Sequence, residues 1–235
     1  MPAPLVLVHG GAHGAWCWEW LAPLLDGDAL AVDLPPKAIR GVPGEFDLPE
    51  LRTLTIGDFA ESVLRDVDAV GFERFVLVGH SMGGLTISEV ARRQPDRVEH
   101  VVYVSCIVPP EGRSVMDALP QELVDSSIDP TDAFCNDMDE AQRRFVLDRI
   151  GTEAVGILSE PVSRTGIPPE LTKTYVKLLQ DQALAPRHQD TYAQNLRDHP
   201  GGELGVITID AGHDVMVSRP KELADVLNGI AVATD

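Results

Sequence analysis

The pentapeptide Gly79-His80-Ser81-Met82-Gly83 sets a serine between two glycines, each two residues away. A serine hydroxyl is a weak nucleophile. It attacks an acyl carbonyl only when a neighbouring base takes its proton and fixed N–H groups receive the developing oxyanion. The flanking residues suit such a turn: Phe75-Val76-Leu77-Val78 reads as a strand, and Ile87, Val90 and Ala91 follow at helical spacing. There the serine backbone is strained, the glycines let strand and helix approach, and the Met82 amide falls at a helix start without an intrahelical acceptor. A glycine-rich strand-to-helix turn with an idle serine is the competing account. The strand before the motif and the helix after it favour a nucleophile.

The base must come from elsewhere in the chain. Seven histidines are available, and His213 has the position required: Thr208-Ile209-Asp210-Ala211-Gly212-His213-Asp214 follows the last strand-like run and precedes the last helix. His80 adjoins the serine and is expected to point away, while His100, His188 and His199 read as surface residues. An orienting carboxylate should lie between Ser81 and His213 at a strand end, the chain order of this kind of triad. Asp181 directly follows Tyr175 to Gln180, whereas Asp190 belongs to the next helix and Asp210 is close in sequence to His213.

The run His9-Gly10-Gly11-Ala12-His13-Gly14 follows the first strand and can line an anion site. It carries no Gly-Lys-Ser/Thr and no Gly-x-Gly-x-x-Gly, so a phosphate loop does not fit. His9 and His13 are four apart on a glycine-rich loop without the glutamate of a zinc-protease helix, so a metal site does not fit either. Oxyanion support remains, with the Gly11 amide acting beside that of Met82. The chemistry calls for no metal and no organic cofactor.

Six apolar, β-branched runs must position these groups: Leu5 to Val8, Ala29 to Val32, Phe75 to Val78, Val101 to Val104, Tyr175 to Leu179 and Val206 to Ile209. Near-continuous hydrophobicity predicts strands covered on both faces, hence an α/β fold with a doubly wound, mostly parallel six-stranded sheet. Phe59, Val63, Val67 and Val70 predict a crossover helix stopped by Gly71. At the other end, Ser218 as a cap, Pro220 in the first turn and Leu223, Val226, Leu227 and Ile230 on one face predict a terminal helix. Trp16, Trp18 and Trp20 cluster within five residues, in a helix from Trp16, and read as core packing.

From Pro109 to about Thr172 the strand rhythm stops, and short helices are expected around Val115 to Val124 and Met138 to Ile150. The expected organisation is therefore a core of residues 1–108 and 173–235 with a cap inserted at 109–172, over the carboxyl ends of the strands where open α/β folds bind ligands.

Composition removes several classes. Thirty-seven acidic against 19 basic residues give a formal net charge of -18, which repels nucleic-acid backbones and anionic membrane surfaces and leaves a small-molecule substrate as the partner. Hydrophobic residues at 44% and charged residues at 24% fit a globular chain. No basic, apolar leader or stretch of about 18 apolar residues is present, which predicts a soluble protein. Cys17, Cys106 and Cys135 match neither a disulfide framework nor a zinc set, so free thiols in a reducing cytoplasm are expected. Oligomeric state stays open, a homodimer included.

These residues resemble the plant methylesterases and hydroxynitrile lyases, with their bacterial esterase relatives, within the α/β-hydrolase superfamily. The likeness rests on Val8-His9-Gly10-Gly11-Ala12-His13-Gly14-Ala15-Trp16-Cys17-Trp18, on Gly79 to Gly84, on Gly212-His213-Asp214 followed by Met216, Ser218, Arg219 and Pro220, and on the acid loop Asp181 to Pro186. The resemblance implies a Ser81–His213–Asp181 triad. Lyase members carry threonine after the first histidine of the glycine loop and lysine after the catalytic histidine, where this chain has Gly10 and Asp214. The two departures favour hydrolysis of an ester through an acyl-enzyme. Lyase or carbon–carbon cleavage, and a receptor-like binding protein with little turnover, are the alternatives. Asp214 also departs from the methionine usual in the esterases.

Overall fold

Each apolar run forms a strand because β-branched side chains suit an extended backbone and the centre of the sheet buries them on both faces. The computed structural model describes residues 2–35, 49–118, 129–151, 154–198 and 203–234. Its strands are Leu5–Val8 (β1), Ala29–Val32 (β2), Phe75–His80 (β3), Val98–Val104 (β4), Thr172–Leu178 (β5) and Leu204–Ile209 (β6). All pairings are parallel, in the order β2-β1-β3-β4-β5-β6. Parallel strands in one sheet require crossovers, and the amphipathic segments between them supply these.

Helices follow at Pro49–Thr53 (α1), Ile56–Val70 (α2), Gly83–Arg93 (α3), Val115–Ala118 (α4), Pro130–Phe134 (α5), Glu140–Leu147 (α6), Pro186–Asp198 (α7), Val215–Ser218 (α8) and Pro220–Ala233 (α9). Alternate strand residues point to opposite faces. Val6, Val8, Phe75, Leu77, Val101, Tyr103 and Tyr175 share one core with residues of α2, α3 and α7. Leu5, Leu7, Val76, Val78, Val102, Val104 and Val176 share the other with Trp18, Leu21, α8 and α9. Burial on both faces thus holds at the centre and fails at the edges. In β2 only Val32 is buried, and in β6 Val206 and Ile207 stand 42% and 37% exposed.

Local readings needed correction where tertiary packing chose otherwise. The buried stripe of α2 is Ile56, Phe59, Ala60, Val63 and Val67, whereas Val70 is half exposed at the last turn, before Gly71 ends the helix at φ 77°. Ser218 does not cap the terminal helix: it closes α8, and Arg219 takes the cap position ahead of Pro220. The tryptophan segment makes a short 3-10 turn, Ala15–Trp18, that buries Trp16 and Trp18 and leaves Trp20 36% exposed. Between β4 and β5 lie α4, α5 and α6 and a 3-10 turn at Val155–Ser159. The expected helix around Val115 to Val124 coincides with α4 at its start, and its later part lies outside the described residues. The three cysteines are free and buried. Among the described residues no helix is long and apolar enough to cross a membrane.

Candidate active site

The turn after β3 holds Ser81 at φ 52°, a left-handed conformation that costs a non-glycine residue roughly 1–2 kcal/mol and persists only where its surroundings over-determine it. Here they do. The Ser81 amide donates to the Val104 carbonyl at 3.1 Å, and its own carbonyl accepts from the amides of Gly84 at 3.1 Å and Ile107 at 3.0 Å. A side chain at Gly83 would come within 2.7 Å of the His9 carbonyl oxygen, and one at Gly79 within 2.7 Å of Ile87, so only glycine lets α3 meet β1 and β3 this closely.

His213 arrives on the loop after β6. Its Nε2 lies 3.0 Å from Ser81 Oγ across 132 residues of sequence, and its Nδ1 lies 2.7 Å from Asp181 Oδ2. Asp181 follows β5 and is an acceptor on every side. Its Oδ1 takes the Leu184 amide at 2.7 Å, and its Oδ2 takes Ser105 Oγ–H at 2.6 Å as well as the imidazole, with Gln189 Nε2 at 3.5 Å. Burial by itself would lower the His213 pKa, but the Asp181 charge and hydrogen bond, with help from Asp214, raise it above the ordinary histidine value. The buried Asp181 carboxylate thus raises the basicity of the imidazole.

The glycine loop lies directly against the serine: a side chain on Gly10 would approach Ser81 Cβ to 2.7 Å. Its carbonyls are taken in succession. Gly10 O lies 2.8 Å from His9 Nδ1, Gly11 O lies 2.6 Å from His13 Nδ1, and Ala12 O accepts from the Gly151 amide at 2.8 Å. Met82 precedes the first residue of α3 with helical backbone angles, so its amide belongs to the turn whose N–H groups have no intrahelical acceptor.

His80, beside the serine, is fully buried and turns its Nε2 to the His213 carbonyl at 3.0 Å, its ring 4.6 Å from that of His213. Burial, then the nearby His213, hold its pKa well below the usual histidine range, so it supports the base's backbone as a neutral ring. Ligand atoms of His80, His213 and Asp214 lie within 4.8 Å of one another. Both nitrogens of His213 are committed to Ser81 and Asp181 and His80 Nε2 to a carbonyl, while His80 Nδ1 and Asp214 Oδ1 are buried without a hydrogen-bond partner among the described residues.

The surface assignment of His188 is overturned, since it is buried at 6% exposure. His100 is half-buried between Thr172 and Thr174, with burial lowering its pKa to about 4, and His199 lies outside the described residues. Sequence reasoning missed four contributors. Ser105, itself at φ 42°, supports the acid, and its only signal is a serine at the end of β4. Phe134 of α5 stacks on the His213 ring at 5.4 Å and meets His13 edge-on at 5.4 Å. Gly151 and Gln189 gave no signal.

A parallel sheet with a strained serine between β3 and α3, and with imidazole and carboxylate on the loops after β6 and β5, defines an α/β hydrolase. The alpha/beta hydrolase family model matches residues 5–226, and the chain belongs to that family. It is similar over nearly its whole length to a carbendazim hydrolyzing esterase of Nocardioides sp. (strain SG-4G), at 29% identity across 96% of this chain and 98% of that protein. Methylesterase 8 of Arabidopsis thaliana is 26% identical across 98% of this chain and 90% of its own length. Among solved structures, polyneuridine aldehyde esterase superposes with a TM-score of 0.78 at 21% identity, covering 98% of this chain and all (100%) of that one, which is a likeness of fold. With such relatives the chain is a carboxylesterase-like enzyme.

Proposed function

We propose that the protein hydrolyses esters of small, largely apolar carboxylic acids or alcohols through an acyl-enzyme on Ser81. The observation that carries this reading is the continuous path from Ser81 Oγ to His213 at 3.0 Å and on to Asp181 at 2.7 Å. In it Ser81 Oγ attacks the ester carbonyl as His213 Nε2 accepts its proton, and Asp181 fixes the tautomer and stabilises the imidazolium. The Gly11 and Met82 amides receive the oxyanion. His213 then protonates the leaving alcohol, and a water molecule, deprotonated by the same imidazole, releases the acid and restores Ser81.

Residues 109–172 act as the cap in this reading, with 1–108 and 173–235 as the hydrolase core. Phe134 against the His213 ring, with Trp16 and Phe145 packed beside the glycine loop, favours apolar substrates, as does the net charge of -18 against anionic ones. The buried free thiols fit a reducing compartment, the cytoplasm.

The test is hydrolysis of short-chain aryl and methyl esters by the wild-type chain and Ser81→Ala, with product mass detection and trapping of the acyl-enzyme. Turnover by the wild type alone, with a Ser81-bound acyl group, is expected. Equal and negligible rates for both would leave a binding protein, and products other than acid and alcohol would point to lyase chemistry.

A further inference from the structure

His13 and Asp214 form a second imidazole–carboxylate pair that the reaction above does not use. His13 Nε2 lies 2.9 Å from Asp214 Oδ2, and the two side chains are sealed from solvent at 1% and 0% exposure. The other ring nitrogen, Nδ1, lies 2.6 Å from the Gly11 carbonyl oxygen. A carbonyl oxygen only accepts. Burial alone would raise the Asp214 pKa, but the charge and hydrogen bond of His13, with His80 and His213, bring it below the usual carboxylate value. Neutral imidazole has a single N–H, and either tautomer would turn a lone pair toward an oxygen. With Asp214 ionised, the imidazolium alone satisfies both contacts.

The position of this cation matters because of what Gly11 does. In a planar trans peptide the C=O and the N–H point in opposite directions, so holding one aims the other. His9 holds the Gly10 carbonyl and thereby aims the Gly11 amide. Its tautomer is set, since its Nε2 accepts from the Leu34 amide at 3.0 Å. His13 holds the next peptide unit through the Gly11 carbonyl, and Gly151 holds the one after. Between the last two sits Ala12 at φ 60°, a conformation its own side chain disfavours.

We propose that His13, kept as an imidazolium by Asp214, is a positioning residue that locks the His9–Gly14 loop so that its Gly11 amide stands ready for the oxyanion. The pair links the oxyanion loop to the segment bearing the base, since Asp214 directly follows His213. The proposal rests on the serine-hydrolase reading. Misalignment of an oxyanion donor is felt in the transition state rather than in substrate binding, so the loss appears in kcat and leaves KM nearly unchanged.

Among the described residues, the groups facing the pair include His9, His80 and His213 and the thiols of Cys17 and Cys135. Burial, the largest influence on each of the following, lowers His9 to about 4 and His80 well below its usual range, and raises Cys17 well above its own and Cys135 to about 12. Between about pH 6 and 9 those four stay uncharged, which leaves His213 as the titrating neighbour of the pair among these residues. Loss of the His13 proton on the alkaline side would release the Gly11 carbonyl, so removing Asp214 should bring an alkaline fall in kcat to lower pH.

The test has two readouts. In the wild-type chain labelled with 15N-histidine, His13, assigned with His13→Gln, should show both ring nitrogens protonated across that pH range. One unprotonated nitrogen at neutral pH overturns the proposal, whether or not any ester is turned over. In Asp214→Asn, kcat for an aryl ester should fall about 10- to 100-fold with KM within about 2-fold, and the alkaline limb should move down by about one pH unit or more. Wild-type kcat and pH profile in that variant overturn it as well. Should Asp214→Asn fail to fold, the nitrogen spectra of the wild type decide. Failure of the serine reading is seen separately, as activity retained by Ser81→Ala.

Discussion

Two imidazole–carboxylate pairs lie side by side under the carboxyl edge of the sheet, and they differ in the third atom. His213–Asp181 and His13–Asp214 have nearly equal separations, 2.7 and 2.9 Å, and all four groups are buried. The free nitrogen of His213 meets the Ser81 hydroxyl, which both donates and accepts, so the ring can pass a proton and take it back. That of His13 meets the Gly11 carbonyl, which only accepts, so the ring is left with a proton it cannot usefully give away. The carboxylates differ too. Asp181 is wrapped by Ser105 and the Leu184 amide, whereas the second oxygen of Asp214 has His80 Nε2 at 4.0 Å. On the proposed reading, burial and pairing alone do not make a catalytic base. The atom beyond the ring decides.

The comparison breaks at once if the hydroxyl pair is not the one that reacts. Ser81→Ala or His213→Ala is expected to lower kcat by about 10⁴-fold or more, measured by initial rates on an aryl ester, because members of a triad act as a unit. Asp181→Asn should cost about 10³-fold, and it carries a signature in pH. The His213 pKa is raised, so the neutral base forms only above the ordinary value of about 6.5, and activity should fall on the acid side of a pKa higher than that. Replacing the charge with an amide removes the largest influence opposing burial, so the acid limb should shift to lower pH. A limb that stays in place would mean that another group titrates.

Ser105→Ala sharpens the contrast between the carboxylates. Its hydroxyl donates to the same Asp181 oxygen as His213, at 2.6 Å, in a buried setting where a charge-assisted hydrogen bond counts for about 1.5–3 kcal/mol. Three donors would still hold Asp181. The expected outcome is a kcat about 10-fold lower, with the acid limb moved up, since a carboxylate freed from one donor attracts the imidazole proton more strongly.

Much of this was legible in the residues, for a physical reason. Strand, turn and helix around Ser81 are neighbours in sequence, so steric need shows as glycine spacing at Gly79 and Gly83, and the sheet shows as runs such as Val101 to Val104. His213 and Asp181 stand where chains leave parallel strands, a position that topology dictates. The unread contacts join distant segments through side chains of common types. His13 meets Asp214 across 201 residues, and nothing local marks either as a partner. Ser105 reads as one more serine, Phe134 as one more apolar residue, and His188 as polar surface until α7 turns it inward. Val70 shows the same limit, since the helical spacing holds and Val67 ends the buried stripe, whereas at Ser218 the capping preference fails, because the terminal helix starts after Arg219 with no side-chain cap.

The smallest effect concerns Ala12, and it asks whether the oxyanion loop is held by its own residue or by its partners. At φ 60° alanine costs roughly 1–2 kcal/mol that glycine would not, while glycine at this position adds back about 0.4–1 kcal/mol of unfolded-chain freedom. Ala12→Gly should therefore change unfolding stability by between about 0 and 1.6 kcal/mol, in the stabilising direction. If the carbonyls of Gly10, Gly11 and Ala12 are fixed from outside by His9, His13 and Gly151, a more permissive residue between them changes little, and kcat should stay within about 2-fold. Urea unfolding and initial rates measure both. A kcat lowered 10-fold or so with stability unchanged would move the source of preorganisation from the imidazolium pair to the alanine side chain, and the difference between the two histidine–aspartate pairs would then be one of geometry without consequence for the loop.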